Sequence, residues 1–253
     1  MKTHSTVQRI SYEAFYDFQS RLFVPVNDFL SLITIISILG IILETVPFLD
    51  PYTNFFQAVE YITVFFFSFE YIGRVVATKK PLRYIVSFFG IVDFLAILPT
   101  YLGLSNLTYL KSARMFRILR FLRVLRLVKL TRVIKKGSHH EDIEHYSSIH
   151  SMTIKIYLFA MLTTVVVLGT LIYVFESDQL AFSSIPSGML WTLQAILGDS
   201  TATPKSLPGQ MINLVARFVG LVMLGFLIHI VGTTVNRFLL GSRRISREKD
   251  IAS

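Results

Sequence analysis

The stretch KSARMFRILRFLRVLRLVKLTRVIK, residues 111–135, sets a lysine or arginine at every third position: Lys111, Arg114, Arg117, Arg120, Arg123, Arg126, Lys129, Arg132 and Lys135. The intervening pairs are almost wholly apolar, among them Met115-Phe116, Ile118-Leu119 and Phe121-Leu122. Three residues of α-helix turn about 300°, so each cation falls about 60° behind the last and six of them wind around the axis. No continuous apolar face is left, which argues against a basic amphipathic helix lying on an anionic membrane or on nucleic acid. The pattern suits a helix that slides or rotates through a narrow protein gap, each step presenting the next cation at the same point. A local 3₁₀ stretch would align the cations in a straight row. Each elementary charge carried across a membrane field contributes about 2.3 kcal/mol per 100 mV, so several such charges would respond steeply to voltage.

The rest of the chain supplies a membrane around this helix. At 253 residues, 53% hydrophobic, 16% charged and mean hydropathy +0.57, the apolar residues come in long runs rather than at surface-helix spacing. The net charge of +9 is concentrated in residues 111–136, so it belongs to one element and does not point to a nucleic-acid partner. With no cysteine, a disulfide framework, a thiol nucleophile and a thiolate metal site are all excluded. The start, with Arg9, Glu13, Asp17 and Arg21 among aromatics, lacks the apolar core of a signal peptide and reads as an amphipathic lead-in.

Six segments approach the roughly 20 helical residues that a crossing needs: 27–46, 54–77, 84–104, 109–135, 149–175 and 210–240. Residues 183–197 are about half as long as a span requires, with Ser184 as candidate N-cap and Pro186 in the first turn, and predict a re-entrant helix. The expected fold is an all-α membrane protein with six transmembrane helices and a re-entrant loop before the last. Arg74, Lys79, Lys80 and Arg83, then Lys135 and Lys136, then Arg243, Arg244 and Arg247 mark one side of the membrane, whereas residues 47–53 and 176–183 hold no Lys or Arg. Both termini are therefore expected to be cytoplasmic, with only Lys205 out of step.

Cations inside a membrane need partners. The second segment offers Glu60 and Glu70 and the third Asp93, each within an apolar run. Glu60, Phe67 and Glu70 are seven and three residues apart, which puts an outer acid, an aromatic plug and an inner acid on one helix face. The order Glu60, Phe67, Glu70, then Ile91-Val92-Asp93-Phe94-Leu95-Ala96-Ile97-Leu98-Pro99, then the three-spaced arginines, resembles the voltage sensor of voltage-gated potassium channels. The resemblance covers nearly the whole chain. It implies that Phe67 caps a charge-transfer centre with Glu70 and Asp93, and that Arg117, Arg120, Arg123 and Arg126 are the main gating charges with Lys129 and Arg132 below them. It also implies a lead-in over 1–25, a four-helix sensor over 26–136, a linker over 137–150, a two-helix pore domain over 151–240 with pore helix and filter at 183–204, and a tail over 241–253.

Ser184 to Trp191 resembles the pore-helix opening of the same family, but the Thr-Val-Gly-Tyr-Gly-Asp signature expected next is absent. Instead Trp191, Thr192 and Gln194 lead to Leu197, Gly198, Asp199, Ser200 and Thr201. The run Gln194-Ala195-Ile196-Leu197-Gly198-Asp199 is similar to the pore of voltage-gated sodium and calcium channels, where an acid follows the glutamine by five residues. That likeness implies a ring of four Asp199 carboxylates as filter; the alternative is an Asp199 that points away from the axis and braces the loop. The tryptophan that follows the acid in those channels is missing.

In the last segment Gly220 and Gly225 are candidate hinges or close-packing sites, Thr233, Asn236 and Phe238 are candidate gate residues, and Arg217 calls for a partner such as Glu176 or Asp178. His229 either faces the pore, where it would confer pH sensitivity, or is hydrogen-bonded between helices.

No catalytic set, phosphate loop or metal cluster is present in the sequence, so an enzyme is not expected. The leading expectation is a homotetrameric voltage-gated cation channel in the cell membrane, with no cofactor beyond a permeant monovalent or divalent cation and with membrane lipid and its own copies as partners. The alternatives are a non-conducting voltage-sensing regulatory subunit, or a channel of unusual selectivity.

Overall fold

The computed structural model describes residues 6–17, 20–78, 80–104, 122–127, 146–199 and 202–251. Its regular elements are all helical. Helix α1 (Thr6–Phe15) is the amphipathic lead-in, and α2 (Phe23–Glu44) the first apolar run, starting a turn earlier than the sequence suggested. Pro25 is tolerated there because first-turn amides have no partner within the helix. The Asn27 amide donates to the carbonyls of Ala14 (3.2 Å) and Phe23 (2.7 Å), tying the two helices together. Val46, ahead of Pro47, is extended, and a short 3₁₀ segment (Pro47–Tyr52) turns the chain into α3 (Thr53–Ala77).

The expected segment 84–104 is divided. A one-turn helix α4 (Pro81–Ile85) precedes α5 (Phe88–Leu104), and the Gly90 amide donates to the Ser87 hydroxyl at 3.2 Å between them. The carbonyl of Tyr84 lies where a Cβ on residue 90 would be, so only glycine fits this corner. Within 122–127, Leu125 N–H bonds Leu122 O (3.2 Å) and Arg126 N–H bonds Arg123 O (3.0 Å). These are the i to i+3 bonds of a 3₁₀ turn, the geometry that lines up cations three apart.

Helix α6 (Tyr146–Glu176) carries Gly169, which packs against Gly188 of α7 (Ile185–Leu197) so closely that a Cβ on either would meet the other helix's backbone. The Ser184 hydroxyl caps α7 by accepting from Ser187 N–H at 3.3 Å. Gly198, at φ +84°, ends α7 in the left-handed region. With 13 residues, α7 is about 20 Å long, short of the roughly 30 Å apolar layer.

Helix α8 (Leu207–Ile251) runs 45 residues without a break, passing straight through the expected end at 240 and through most of the expected tail. No proline follows Pro208, and the Arg, Lys and Glu of this stretch are good helix formers.

Three helices among the described residues are long and apolar enough to cross a membrane: Phe23–Glu44, Met152–Glu176 and Leu207–Asn236, with mean hydropathies of 2.2, 2.3 and 2.3. Helix α3 has the length, at 25 residues, but carries Glu60, Glu70 and Arg74. Ile33, Val64, Phe67 and Ile97 join α2, α3 and α5 in one core, and Leu168, Ile172, Trp191, Ala195, Ile212 and Ala216 join α6, α7 and α8 in another.

Candidate functional site

Helices α2, α3 and α5 enclose Arg126, whose side chain is wholly buried. Its Nη1 and Nη2 each donate to a separate oxygen of Glu60, both at 2.8 Å. Nε and Nη2 donate to the Ala96 carbonyl at 3.1 and 2.9 Å, and Nη1 also donates to the Ser37 hydroxyl. The planar fork of arginine suits this two-point grip on a carboxylate, which a lysine would hold at one point. Thr100 donates its hydroxyl to the same carboxylate, so Glu60 is held from α5 as well as from the ladder.

Phe67 closes the floor of this site. It is wholly buried, and the Arg126 guanidinium carbon lies 5.2 Å from its ring centroid, within range of a cation–π attraction. Arg123 stands one step along, 3.4 Å from Glu60 and 3.8 Å from Glu44 at the end of α2.

Glu70 lies about 15 Å from Glu60 along α3, on the far side of Phe67. There the acids meet a cation from outside the ladder. Arg74 bridges Glu70 (2.6 Å) and Asp93 (3.1 Å), and the Tyr84 hydroxyl donates to Asp93 at 2.6 Å. Arg74, counted from the sequence with Lys79, Lys80 and Arg83 among the cations that mark one side of the membrane, is instead buried within α3, four residues from its acid. Phe15 of α1 covers it, 5.7 Å from ring centroid to guanidinium carbon, and Tyr16 shares a 3.1 Å hydrogen bond with Thr78.

Of the expected sensor residues, Glu60, Phe67, Arg123 and Arg126 come together, and Glu70 and Asp93 form a second pair. Arg117, Arg120, Lys129 and Arg132 lie outside the described residues. Sequence reasoning missed Ser37, Glu44, Thr100, the Ala96 carbonyl, Tyr84 and the pairing of Arg74. Only two of these left a signal: Glu44 is an acid at the end of an apolar run, and Arg74 follows Glu70 at the i, i+4 spacing of a helical ion pair.

In the second half, Trp191 Nε1 donates to the Ala202 carbonyl at 2.7 Å and its ring meets Phe182 edge-on. The chain that returns after α7 is thereby pinned to that helix. Thr192 is buried and donates to Gly188 O at 2.8 Å, and the Gln194 carbonyl accepts from Asp199 N–H at 2.9 Å. Leu197, Gly198 and Asp199 are exposed, while Ser200 and Thr201 lie outside the described residues.

Gly220 packs on the backbone of Ile196, which accounts for that glycine by close approach, whereas nothing lies within 4 Å of a Cβ at Gly225. Glu176 is not placed on Arg217. It accepts from Ser206 N–H and from Gln179, both at 2.6 Å, holding the start of α8, and Arg217 donates to Asn213 at 3.3 Å. His229 is exposed, and its carbonyl accepts from Thr233. Asn236 is exposed, and the side chain of Phe238 lies outside the described residues.

A helical membrane scaffold that buries an arginine of a three-spaced ladder against an acid and an aromatic floor is that of the voltage-gated ion channels. Residues 25–239 match the family described as ion transport protein, and the chain belongs to that family. It is 25% identical over 193 residues to a voltage-gated potassium channel regulatory subunit of Rattus norvegicus, covering 72% of this chain and 38% of the relative. It is 23% identical over 216 residues to an A-type voltage-gated potassium channel of Homo sapiens, covering 81% and 32%. With a putative potassium channel protein of Rhodopseudomonas palustris it shares 25% identity over 240 residues, covering 87% and 55%. The chain thus spans between about a third and just over half the length of these relatives.

Proposed function

We propose that the chain is one subunit of a homotetrameric voltage-gated cation channel of the cell membrane, crossing it six times with both termini cytoplasmic. The observation that carries this reading is Arg126, a ladder cation wholly buried between Glu60 and Phe67. A cation held inside the membrane by a fitted site, with equivalents three residues before and after it, can hand that site to its neighbours as the helix moves. In this reading Arg117, Arg120, Arg123, Arg126, Lys129 and Arg132 are gating charges.

The tetramer is supported by α8. Only 17% of its most apolar window is covered within one chain, against 44% for α6, and Arg217 is exposed about 15 Å inside the helix start. An arginine at that depth does not face lipid without heavy cost, whereas faces shared by four copies around an axis would cover it. Asp199 from each copy would then ring the filter and select cations through its carboxylates. No enzymatic step and no resident cofactor is proposed.

A second reading, a voltage-sensing regulatory subunit that does not conduct, is favoured by the sequence around Asp199, which departs from the potassium signature, and by the likeness to a relative that is a regulatory subunit. The test is purified protein in a planar bilayer with separate sodium, potassium, calcium and chloride gradients. Cation current that switches with voltage is the expected result. Silence at every voltage would overturn the channel reading in favour of the regulatory one.

A further inference from the structure

Two regions of the fold, the ladder with its surrounding helices and the α6–α7–α8 unit, share one core. The cluster unites Ile41 of α2, Val124 and Leu127 of the ladder, Val166 and Val174 of α6 and Ile185 of α7, all less than a tenth exposed. Val124 and Leu127 flank Arg126, so the short stretch that puts its charge against Glu60 turns its apolar side chains to α6.

A directed bond closes the same interface at its outer end. The backbone N–H of Ile185 donates to the Thr45 hydroxyl at 2.9 Å, across 140 residues of sequence. First-turn amides of a helix have no partner within it, and a buried one left unpaired costs about 1–3 kcal/mol. Here the start of the pore helix is completed by the residue that ends α2.

From this contact we infer that each sensor docks on the pore quarter of its own chain, and is not exchanged with a neighbouring copy as happens when identical elements swap between protomers. The inference rests on the tetrameric-channel reading and adds the path of coupling: the ladder pushes on α6 of the same polypeptide, through Val124 and Leu127.

The natural absence of cysteine makes the test direct. Two double variants are made in the full chain, Thr45→Cys with Ile185→Cys and Leu127→Cys with Val166→Cys, and treated in membranes with a short bis-maleimide. Each is expected to give a product of one-chain mass whose digest contains the linked peptides. Differently tagged chains carrying the two substitutions of a pair singly are then co-expressed, and no two-chain product above the cysteine-free background is expected. A two-chain product from co-expressed single variants at either pair overturns the inference, as does failure of both double variants to link. Current through untreated protein reports separately on the channel reading, because a channel with exchanged sensors would still conduct.

Discussion

Replacing Arg126 by Gln removes the cation that Glu60 grips with two 2.8 Å hydrogen bonds, and leaves the buried carboxylate with Thr100 and the more distant Arg123. Breaking a buried ion pair by deleting one partner costs about 3–5 kcal/mol. That cost falls only on the sensor position in which residue 126 lies at Glu60, because another ladder residue occupies the acid in every other position. At about 2.3 kcal/mol per charge per 100 mV and about three to four charges moved per subunit, the penalty converts to a shift of about 30–70 mV in the midpoint of activation. Arg123, already 3.4 Å from Glu60, offsets part of it, so the lower half of that range is expected.

Arg123 and Arg126 both stand at Glu60, which in the proposed topology is outward of Phe67, so the substitution weakens an outward position of the sensor and the shift should be toward positive voltage. Arg126→Lys, which keeps the charge but loses the fork, should shift less. The assay is current or gating charge against voltage in a bilayer or an expressing cell. A midpoint within about 10 mV of the parent, where about 30 mV is the least expected, would refute the assignment of Arg126 to the gating path. A negative shift would refute the orientation.

Arg74→Ala strands Glu70 and Asp93 together in a buried site and should cost about 3–5 kcal/mol, read as a lower melting temperature of the purified protein; Arg74→Lys should restore part of it. Gly188→Val drives a side chain into the Gly169 carbonyl and should abolish the assembled protein on size-exclusion chromatography. Asp199→Asn should change unitary conductance or the sodium-to-potassium permeability ratio, and an unchanged channel would place Asp199 off the axis. Trp191→Phe loses the bond to Ala202, worth about 0.5–1.5 kcal/mol, and should loosen the chain after α7, seen as faster amide exchange around Ala202.

The meeting of Glu60, Phe67 and the ladder was legible in the sequence because its logic is local. Glu60 and Phe67 share a helix face by spacing alone, and the ladder repeats without interruption. Ser184 and Pro186 marked the start of α7 for the same reason. What stayed hidden depends on who meets whom. Arg74 stands beside Lys79 and Lys80 and looks like one more cytoplasmic cation, until folding brings Asp93 to it from another helix. Thr45 and Ile185 belong to no common pattern, and their bond exists only because two distant segments end at the same place. The break between α4 and α5 follows from a carbonyl pressing on Gly90, a steric fact that hydropathy does not carry.

The unbroken course of α8 gives the molecule a lever arm. At 1.5 Å per residue its 45 residues measure about 68 Å, more than twice the thickness of the apolar layer, so much of the rod projects beyond the bilayer. From Gly225 to the far end is about 39 Å, and a tilt of only about 10° there would swing that end through about 7 Å. Anything gripping the projecting part would therefore act on the membrane-spanning part of α8 with considerable mechanical advantage.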